Sequence, residues 1–478
     1  MNNLTLGSLF DGSGGFPLGG LLAGITPVWA SEIEPFPIRV TTKRLPFMKH
    51  YGDISQMDGG KIEPVDIITF GSPCTDMSVA GRRAGLEGQQ SVLFYQAIRI
   101  IKEMRCATNG KYPRYIVWEN VPGAFSSNGG EDFKAVLEAV IDVAEPNTQV
   151  PMPEKNRWPY ADCYMGDGWS VAYRVLDAQF WGVPQRRKRI YLVADFAGGR
   201  AFDILFKSEG LSGYSAEGFR AWQRTAGSAA DCAGTSGICL NDQGGQRMDV
   251  TDDVSATLRA EAHHPPCVLE SAGFCTEHSS KSRSIGRADR NGPQGSGVNE
   301  DVSFTLNTID RHAVYAMTTG SFTQVEEDIV PTIMARDYKD PNAVCMGRGY
   351  TVRRLTPTEC ARLQGFPDWW CDDLGIAEPT MEDIRYWYDV FETHRNIVSS
   401  STKPKSLKQI AKWLRDPHSD AAEYKMWGNG VALPCVVFVL SGIVYCTQSE
   451  IPFSKIDEVG AGMYKGEKIT RAERHAIK

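Results

Sequence analysis

Three short stretches of the chain hold side chains that can do covalent and acid–base chemistry. Phe70-Gly71-Ser72-Pro73-Cys74-Thr75 puts a thiol on a proline-stiffened loop directly after the apolar run Asp66–Thr69. Trp118-Glu119-Asn120-Val121-Pro122-Gly123 puts a carboxylate at the end of a second apolar run. Gln185-Arg186-Arg187-Lys188-Arg189-Ile190 leads into a third, with Arg187 and Arg189 two apart and so on one face of an extended strand. Taken singly, a cysteine is more often a small buried hydrophobe than a nucleophile. A thiol, a carboxylate and a guanidinium converging at one sheet edge define a pocket for a planar, polar heterocycle.

A second constellation precedes these. Phe10-Asp11-Gly12-Ser13-Gly14-Gly15-Phe16 follows the first apolar run. Glycines at a strand-to-helix turn let the backbone approach a ligand closely and offer free amides. Glu32 lies about 20 residues on, where the ribose hydroxyls of a nucleoside want a carboxylate. Asp53-Ile54 stands at what reads as the end of a third strand. Three consecutive turns of this kind point to a nucleoside-containing ligand. Their spacing leaves NAD and S-adenosylmethionine both open.

Such loops need a scaffold that gathers them. Candidate strands Leu4–Phe10, Val28–Ala30, Asp66–Phe70, Tyr115–Trp118 and Arg189–Ala194 alternate with helical periods such as Val92–Met104 and Asp132–Val143. That alternation predicts an α/β domain with a mostly parallel sheet, whose ligands sit at the carboxyl ends of the strands. From about Phe196 to Gly349 Gly, Ser, Thr, Asn and Asp dominate. Three similar segments, Asp253–Leu258, Asp301–Leu306 and Asp328–Ile333, are each followed by an apolar strand (Cys267–Leu269, Ala313–Tyr315, Ala343–Cys345). They predict a smaller, β-rich domain with variable loops on one side. Helical character returns at Tyr350. Thr356 as N-cap, Pro357 at the first position and Glu359 three residues after the cap predict a helix to Leu363. Met381–Thr393 and Lys405–Leu414 form an amphipathic pair. Val431–Val444 supplies a buried helix or strand returning to the first domain.

The 478 residues carry 51 Lys+Arg against 58 Asp+Glu, a net charge of −7 that by itself speaks weakly against a nucleic-acid partner. The sum hides concentrations of positive charge at Arg82-Arg83, Arg186–Arg189 and Lys281–Arg290. Met1-Asn2-Asn3 has neither a basic nor an apolar stretch of the signal-peptide kind. The longest apolar run, Val431–Tyr445, is interrupted by Pro434 and Ser441-Gly442 and falls short of a membrane span. The 12 cysteines form no Cys-x-x-Cys pair, and Cys232, Cys239, Cys267 and Cys275 read as packing residues. A reduced, cytoplasmic protein without a bound metal is expected.

In order, these motifs resemble the cytosine-C5 DNA methyltransferases. The resemblance is carried by the Phe10–Phe16 turn, Pro73-Cys74, Glu119-Asn120-Val121, Gln185-x-Arg187-x-Arg189, Arg354-x-Thr356-Pro357-x-Glu359-Cys360-Ala361-Arg362-Leu363-Gln364-Gly365-Phe366-Pro367 and Gly428-Asn429-Gly430-Val431. It covers about 1–195 and 350–445. It implies a Rossmann-like, S-adenosylmethionine-dependent catalytic domain (1–195), a target recognition domain (196–349) and a helical return segment completing the first domain (350–478). It also implies a flipped-out cytosine of duplex DNA as substrate. Cys74 would add to C6, Glu119 would hold the N3/N4 edge and Arg187, with Arg189 in the same motif, would bind O2. S-adenosylmethionine would lie against Phe10, Asp11, Gly12, Gly14, Gly15, Ser72, Pro73 and Leu93. Glu32 would hold its ribose and Ile33, Asp53 and Ile54 its adenine. Asn429 and Val431 would close the site from the far end of the chain, so that the C-terminal segment packs beside the first strand. Ser78, Arg82, Arg83, Gln185, Lys281 and Arg283 would meet DNA, the first three on an active-site loop hinged at Gly81, Gly85 and Gly88.

Three positions depart from the family's usual pattern: Thr75 where relatives carry Gln, Ile33 where an aromatic is common, and Gly430 where Ser or Ala is usual. One branch of the family acts on tRNA; the long 196–349 stretch favours duplex DNA, because a reader of sequence needs loops that enter a groove. A monomer in a bacterial or phage-infected cell is expected. The sequence gives neither a restriction endonuclease partner nor a role for the insertion between Asp368 and about Tyr424.

Overall fold

The computed structural model describes residues 4–72, 91–206, 355–398 and 403–448, positions 254, 255 and 258, and the backbone of short strands between 238 and 354. The first half runs β1 (Thr5–Leu9), α1 (Gly15–Leu22), β2 (Thr26–Ser31), α2 (Pro35–Arg44), β3 (Lys49–His50), β4 (Ile67–Phe70), α3 (Ser91–Ala107), β5 (Tyr115–Asn120) and α4 (Glu131–Ile141). Then come β6 (Ala161–Gly166), β7 (Trp169–Asp177), β8 (Lys188–Asp195) and α5 (Ala201–Phe206). All eight strands form one sheet in the order β3-β2-β1-β4-β5-β8-β7-β6.

The five strands from β3 to β5 are parallel, with Leu6 opposite Ile67 and Phe70 opposite Trp118. β4 and β5 are buried over their whole length, which is why they read as unbroken apolar runs. β8 runs antiparallel to β5, Asn120 facing Ile190, and β7 and β6 follow antiparallel. Arg187 therefore enters from the loop before its strand, and that loop lies at the same edge as the loops after β4 and β5.

Helices cover both faces. On one, Phe94, Ile98 and Ile101 of α3 and Phe133 and Leu137 of α4 pack on Ile68, Phe70 and Trp118. On the other, Leu6, Ile67, Tyr115 and Val193 pack against α5 and a C-terminal helix, Leu433–Gln448. The final apolar run is thus a helix, and it does pack back beside the first strand. A Cβ at Gly19 of α1 would come 2.5 Å from Val436, and one at Gly442 would come 2.7 Å from the Ile204 carbonyl. The run is apolar all round because it is enclosed all round. No single helix among the described residues is long and apolar enough to cross a membrane.

The remaining helices are α6 (Pro357–Leu363), α7 (Met381–Ile397), α8 (Leu407–Arg415) and α9 (Asp420–Asn429), followed by the C-terminal helix, α10. α6 starts on the expected capping box: Thr356 Oγ1 accepts from the Glu359 amide, and Glu359 accepts from the Thr356 amide at 2.7 Å. α7 and α8, the core of the insertion, pair through Trp387 and Trp413 (5.1 Å between rings) and seat Ile384, Ile410 and Leu414 on Ile38 of α2. Between 238 and 354 the strands make two antiparallel sheets. One joins β10 (Met248–Asp252), β9 (Ile238–Asp242), β11 (Cys267–Phe274), β12 (Val298–Glu300) and β16 (Tyr350–Arg354). The other joins β14 (Val325–Glu327), β13 (Tyr315–Thr318) and β15 (Asn342–Val344). The repeat segments Asp301–Leu306 and Asp328–Ile333, and most of Asp253–Leu258, lie outside the described residues.

Candidate active site

The glycine-rich turn leaves β1 with backbone that L side chains rarely adopt: φ is 55° at Phe10, 54° at Gly12 and 80° at Gly14. Gly14 is also sterically required, since a Cβ there would lie 2.8 Å from the Thr41 methyl. Glu32, at the end of β2, fastens the turn. Its Oε2 accepts from the Gly12 amide at 2.8 Å, and its Oε1 accepts from the amides of Ile33 (2.7 Å) and Glu34 (2.9 Å). Burial raises the Glu32 pKa against these bonds, which favour the charged form.

Asp11 sits under the turn, 5% exposed, accepting from the Ser8 hydroxyl at 2.7 Å through Oδ1. Its Oδ2 is buried without a partner, and burial pushes the carboxyl up to about 8. The Ser13 hydroxyl is likewise buried without a partner, while the Ser13 carbonyl accepts from the Trp370 indole at 2.9 Å. The opposite wall is the tract after α9. Val431 lies against Gly15, its Cγ2 2.4 Å from where a Cβ would stand, and Gly430 lies against Ser13. Asp53 caps the short helical turn Ile54–Gln56, and Ser31 Oγ donates to the Gly52 carbonyl at 2.7 Å, stitching the third turn to the second. Ile54 is buried, Phe10 and Leu93 pack on the same core cluster, Ile33 is half-buried and Asn429 is exposed. A glycine cradle, a carboxylate at the end of β2 and two orphaned polar atoms beneath the turn suit a nucleoside cofactor.

The second half of the site lies two strands along. A Cβ on Gly71 would stand 3.2 Å from Glu119 Oε2, so the loop that continues to Pro73 and Cys74 departs directly beside this carboxylate. Ser72 Oγ accepts from the Trp118 indole at 3.3 Å. Glu119 is 8% exposed and pairs with Arg189 Nε at 3.0 Å. Burial raises its pKa, opposed by the charges of Arg189 and Arg187. Asn120 caps Val121 with its Oδ1 (2.7 Å), and its Nδ2 is buried without a partner.

Two residues expected to meet the substrate, Arg187 and Gln185, are buried here. Arg187 is buried with both terminal nitrogens engaged by backbone: Nη1 donates to the Leu258 carbonyl (3.2 Å), and Nη2 donates to the carbonyls of Gly428 (3.2 Å) and Gly430. It is Arg189, not Arg187, that pairs with Glu119. Gln185, expected at a DNA surface, is wholly buried. The tract at 254–255 covers it: the Ser255 amide donates to the Pro184 carbonyl and the Arg186 amide to the Ser255 carbonyl, both at 2.7 Å. Pro73, Cys74, Ser78, Arg82, Arg83, Lys281 and Arg283 lie outside the described residues.

The sequence reading missed Leu258, Asp177 and Trp370. Asp177, at the end of β7, accepts from the Arg187 amide at 3.1 Å. Its only signal was a carboxylate closing an apolar run; Trp370 and Leu258 gave none.

An open sheet with this strand order, a glycine-rich first turn and an acidic residue ending β2 define a Rossmann-like, nucleoside-binding α/β domain. More narrowly, the chain belongs to the C-5 cytosine-specific DNA methylase family, which matches residues 4–144 and 165–373. It is 28% identical over 489 residues to a protein of Escherichia phage P1 named DNA N-6-adenine-methyltransferase, covering 94% of this chain and 62% of that protein. It is 28% identical to the orphan methyltransferase M.SPRI of Bacillus phage SPR (40% of this chain, 38% of that protein). It is 30% identical to the type II methyltransferase M.MspI of a Moraxella species (39% and 37%). The chain therefore spans less than two thirds of the length of each of these relatives.

Proposed function

We propose that this protein transfers a methyl group from S-adenosylmethionine to C5 of a cytosine in duplex DNA. The observation that supports it most is the Glu119–Arg189 pair, set beside the start of the Cys74 loop, which itself lies next to the glycine-rich turn along one sheet edge. C5 of cytosine is a poor nucleophile, so the ring must first be made electron-rich. The Cys74 thiolate adds to C6, forming the S–C6 bond and moving the C5–C6 π electrons into the ring. Glu119, whose pKa burial raises, carries the proton that N3 accepts as that charge builds. Arg189 holds Glu119 in place and, with it, lines the polar edge of the base. When bound, S-adenosylmethionine supplies an electrophilic methyl to C5; Glu32 and the 10–15 turn would hold its nucleoside. Loss of the C5 proton to water then returns the electrons to C5–C6 and expels Cys74, and N3 gives its proton back to Glu119. A base stacked in a duplex cannot reach such a pocket, so it is flipped out, and residues 196–349 read the surrounding sequence.

The name of the phage P1 relative refers to adenine. Methylation of an exocyclic amine has no use for addition of a thiol to a ring carbon, and the matched family is the cytosine one. The test is incubation with tritiated S-adenosylmethionine and duplex DNA or tRNA, wild type beside Cys74→Ser, followed by nucleoside analysis. Label in 5-methylcytosine of duplex DNA, absent from Cys74→Ser, is expected. Label in N6-methyladenine, preference for tRNA, or an active Cys74→Ser would each overturn the reading. Exchanging residues 196–349 should change which sites are methylated, and unchanged site choice would remove their recognition role.

A further inference from the structure

Arg187 joins backbone from parts of the chain 71, 241 and 243 residues away. Gly428 and Gly430 carry carbonyls at the C-terminal end of α9, which have no acceptor role inside the helix and gather the negative end of its dipole. A buried guanidinium is a fitting cap for them. On the far side of those carbonyls, Gly430 abuts the Ser13 hydroxyl and Val431 abuts Gly15, both in the turn assigned to the cofactor. On the near side, Leu258 is buried among Phe366, Trp370 and Trp427, and its neighbour Ser255 is fastened to Pro184 and Arg186, just before Arg187 itself. Gln364 braces the same corner, donating to the Trp427 carbonyl at 2.8 Å and accepting from the Leu433 amide at 2.9 Å.

We propose that Arg187 is a positioning residue that couples the cofactor turn to the recognition segment, through the Gly428–Gly430 carbonyls on one side and the Leu258 carbonyl on the other. A ligand that fixes Gly12–Gly15 and the Gly430 wall fixes the guanidinium and with it residues 254–258. By reciprocity, DNA that holds 254–258 tightens cofactor binding by the same factor. The proposal rests on the assignment of the 10–15 turn to S-adenosylmethionine.

The experiment is hydrogen exchange of the full chain with and without saturating S-adenosylhomocysteine, with binding measured separately by calorimetry, for wild type and Arg187→Lys. Lysine keeps the charge but cannot span three carbonyls. In wild type, exchange across 254–258 should slow roughly fivefold or more on binding. In Arg187→Lys the ligand should still bind while that protection disappears. Ligand bound to wild type without protection at 254–258, or equal protection in Arg187→Lys, would overturn the coupling. Absence of binding to wild type would instead overturn the cofactor assignment, and the coupling with it. If the lysine variant does not fold, Arg187→Gln, which keeps hydrogen-bond donors but loses the charge and the fork, takes its place in the same comparison.

Discussion

The family resemblance leads one to expect Ser or Ala at 430, and the structure shows what a side chain there would meet. The backbone there is ordinary (φ −67°, ψ 170°), so a side chain costs no strain in the main chain. The obstacle is steric: a Cβ would lie 3.0 Å from Ser13 Oγ and 3.3 Å from the Met426 carbonyl. Neither side can easily retreat, because Trp370 holds the Ser13 carbonyl and Arg187 holds the Gly430 carbonyl. Overpacking a fixed contact of this kind costs about 1–3 kcal/mol. Gly430→Ser should therefore weaken S-adenosylhomocysteine binding by about tenfold, since ~1.4 kcal/mol is a factor of ten. Ser13→Ala alone should be close to neutral, because it deletes a buried hydroxyl that has no partner. In the double variant the contact with Ser13 is gone and only the looser one with the Met426 carbonyl is left, so a coupling of about 1 kcal/mol should appear between the two sites. Calorimetric titration and thermal unfolding of the four proteins measure it. Additivity within roughly 0.3–0.5 kcal/mol would refute the idea that the Ser13 hydroxyl occupies the space that a side chain at 430 would need.

Asp11 should impose a pH dependence on stability. Its folded-state pKa of about 8 lies above the ordinary 3.8, so its contribution is fullest below about pH 4 and is lost as pH rises through 8. Asp11→Asn should gain on wild type across that window, by at most ~6 kcal/mol at its upper end, which melting temperatures between pH 4 and 9 would show; a constant difference would contradict the burial argument. Glu119→Gln should lower kcat by about 100-fold or more and flatten its alkaline limb, because the raised carboxyl loses its proton as pH rises whereas an amide has none to lose; an unchanged pH–rate profile would exclude Glu119 as the proton carrier. Gly15→Ala would drive a methyl to within 2.4 Å of Val431, and a loss of about 1–3 kcal/mol in thermal unfolding is expected.

The parallel half of the sheet was legible because burial on both faces writes itself as unbroken apolar runs. β6 and β7 were not: β6 is an edge strand, and Cys163 and Tyr164 are only half-buried, so no run marks it. β3 is two residues long, and its sign in the sequence is the Asp53-Ile54 turn that follows it rather than an apolar run. The capped helix at Thr356 was legible to the residue, since a capping box is local chemistry that needs no tertiary partner. The last helix was ambiguous for the opposite reason: enclosed on every side, it has no polar face to reveal a period of 3.6.

In the site the dividing line is the same, between chemistry fixed locally and chemistry fixed by distant segments. Glu119 and the glycine turn sit at strand ends that the runs themselves announce. Arg187 and Arg189 are two apart, and spacing alone makes them equivalent members of one strand face. β8 begins only at Lys188, however, so Arg187 belongs to the entering loop, and its direction is set by Leu258, Gly428 and Gly430 rather than by the pleat. One arginine is left to meet Glu119 and the other is drawn into the protein. The same reasoning corrects the weight given to the net charge of −7. An arginine counted toward a DNA-binding patch neutralises helix-end carbonyls instead, so neither the sum nor the local cluster measures the charge available to phosphates.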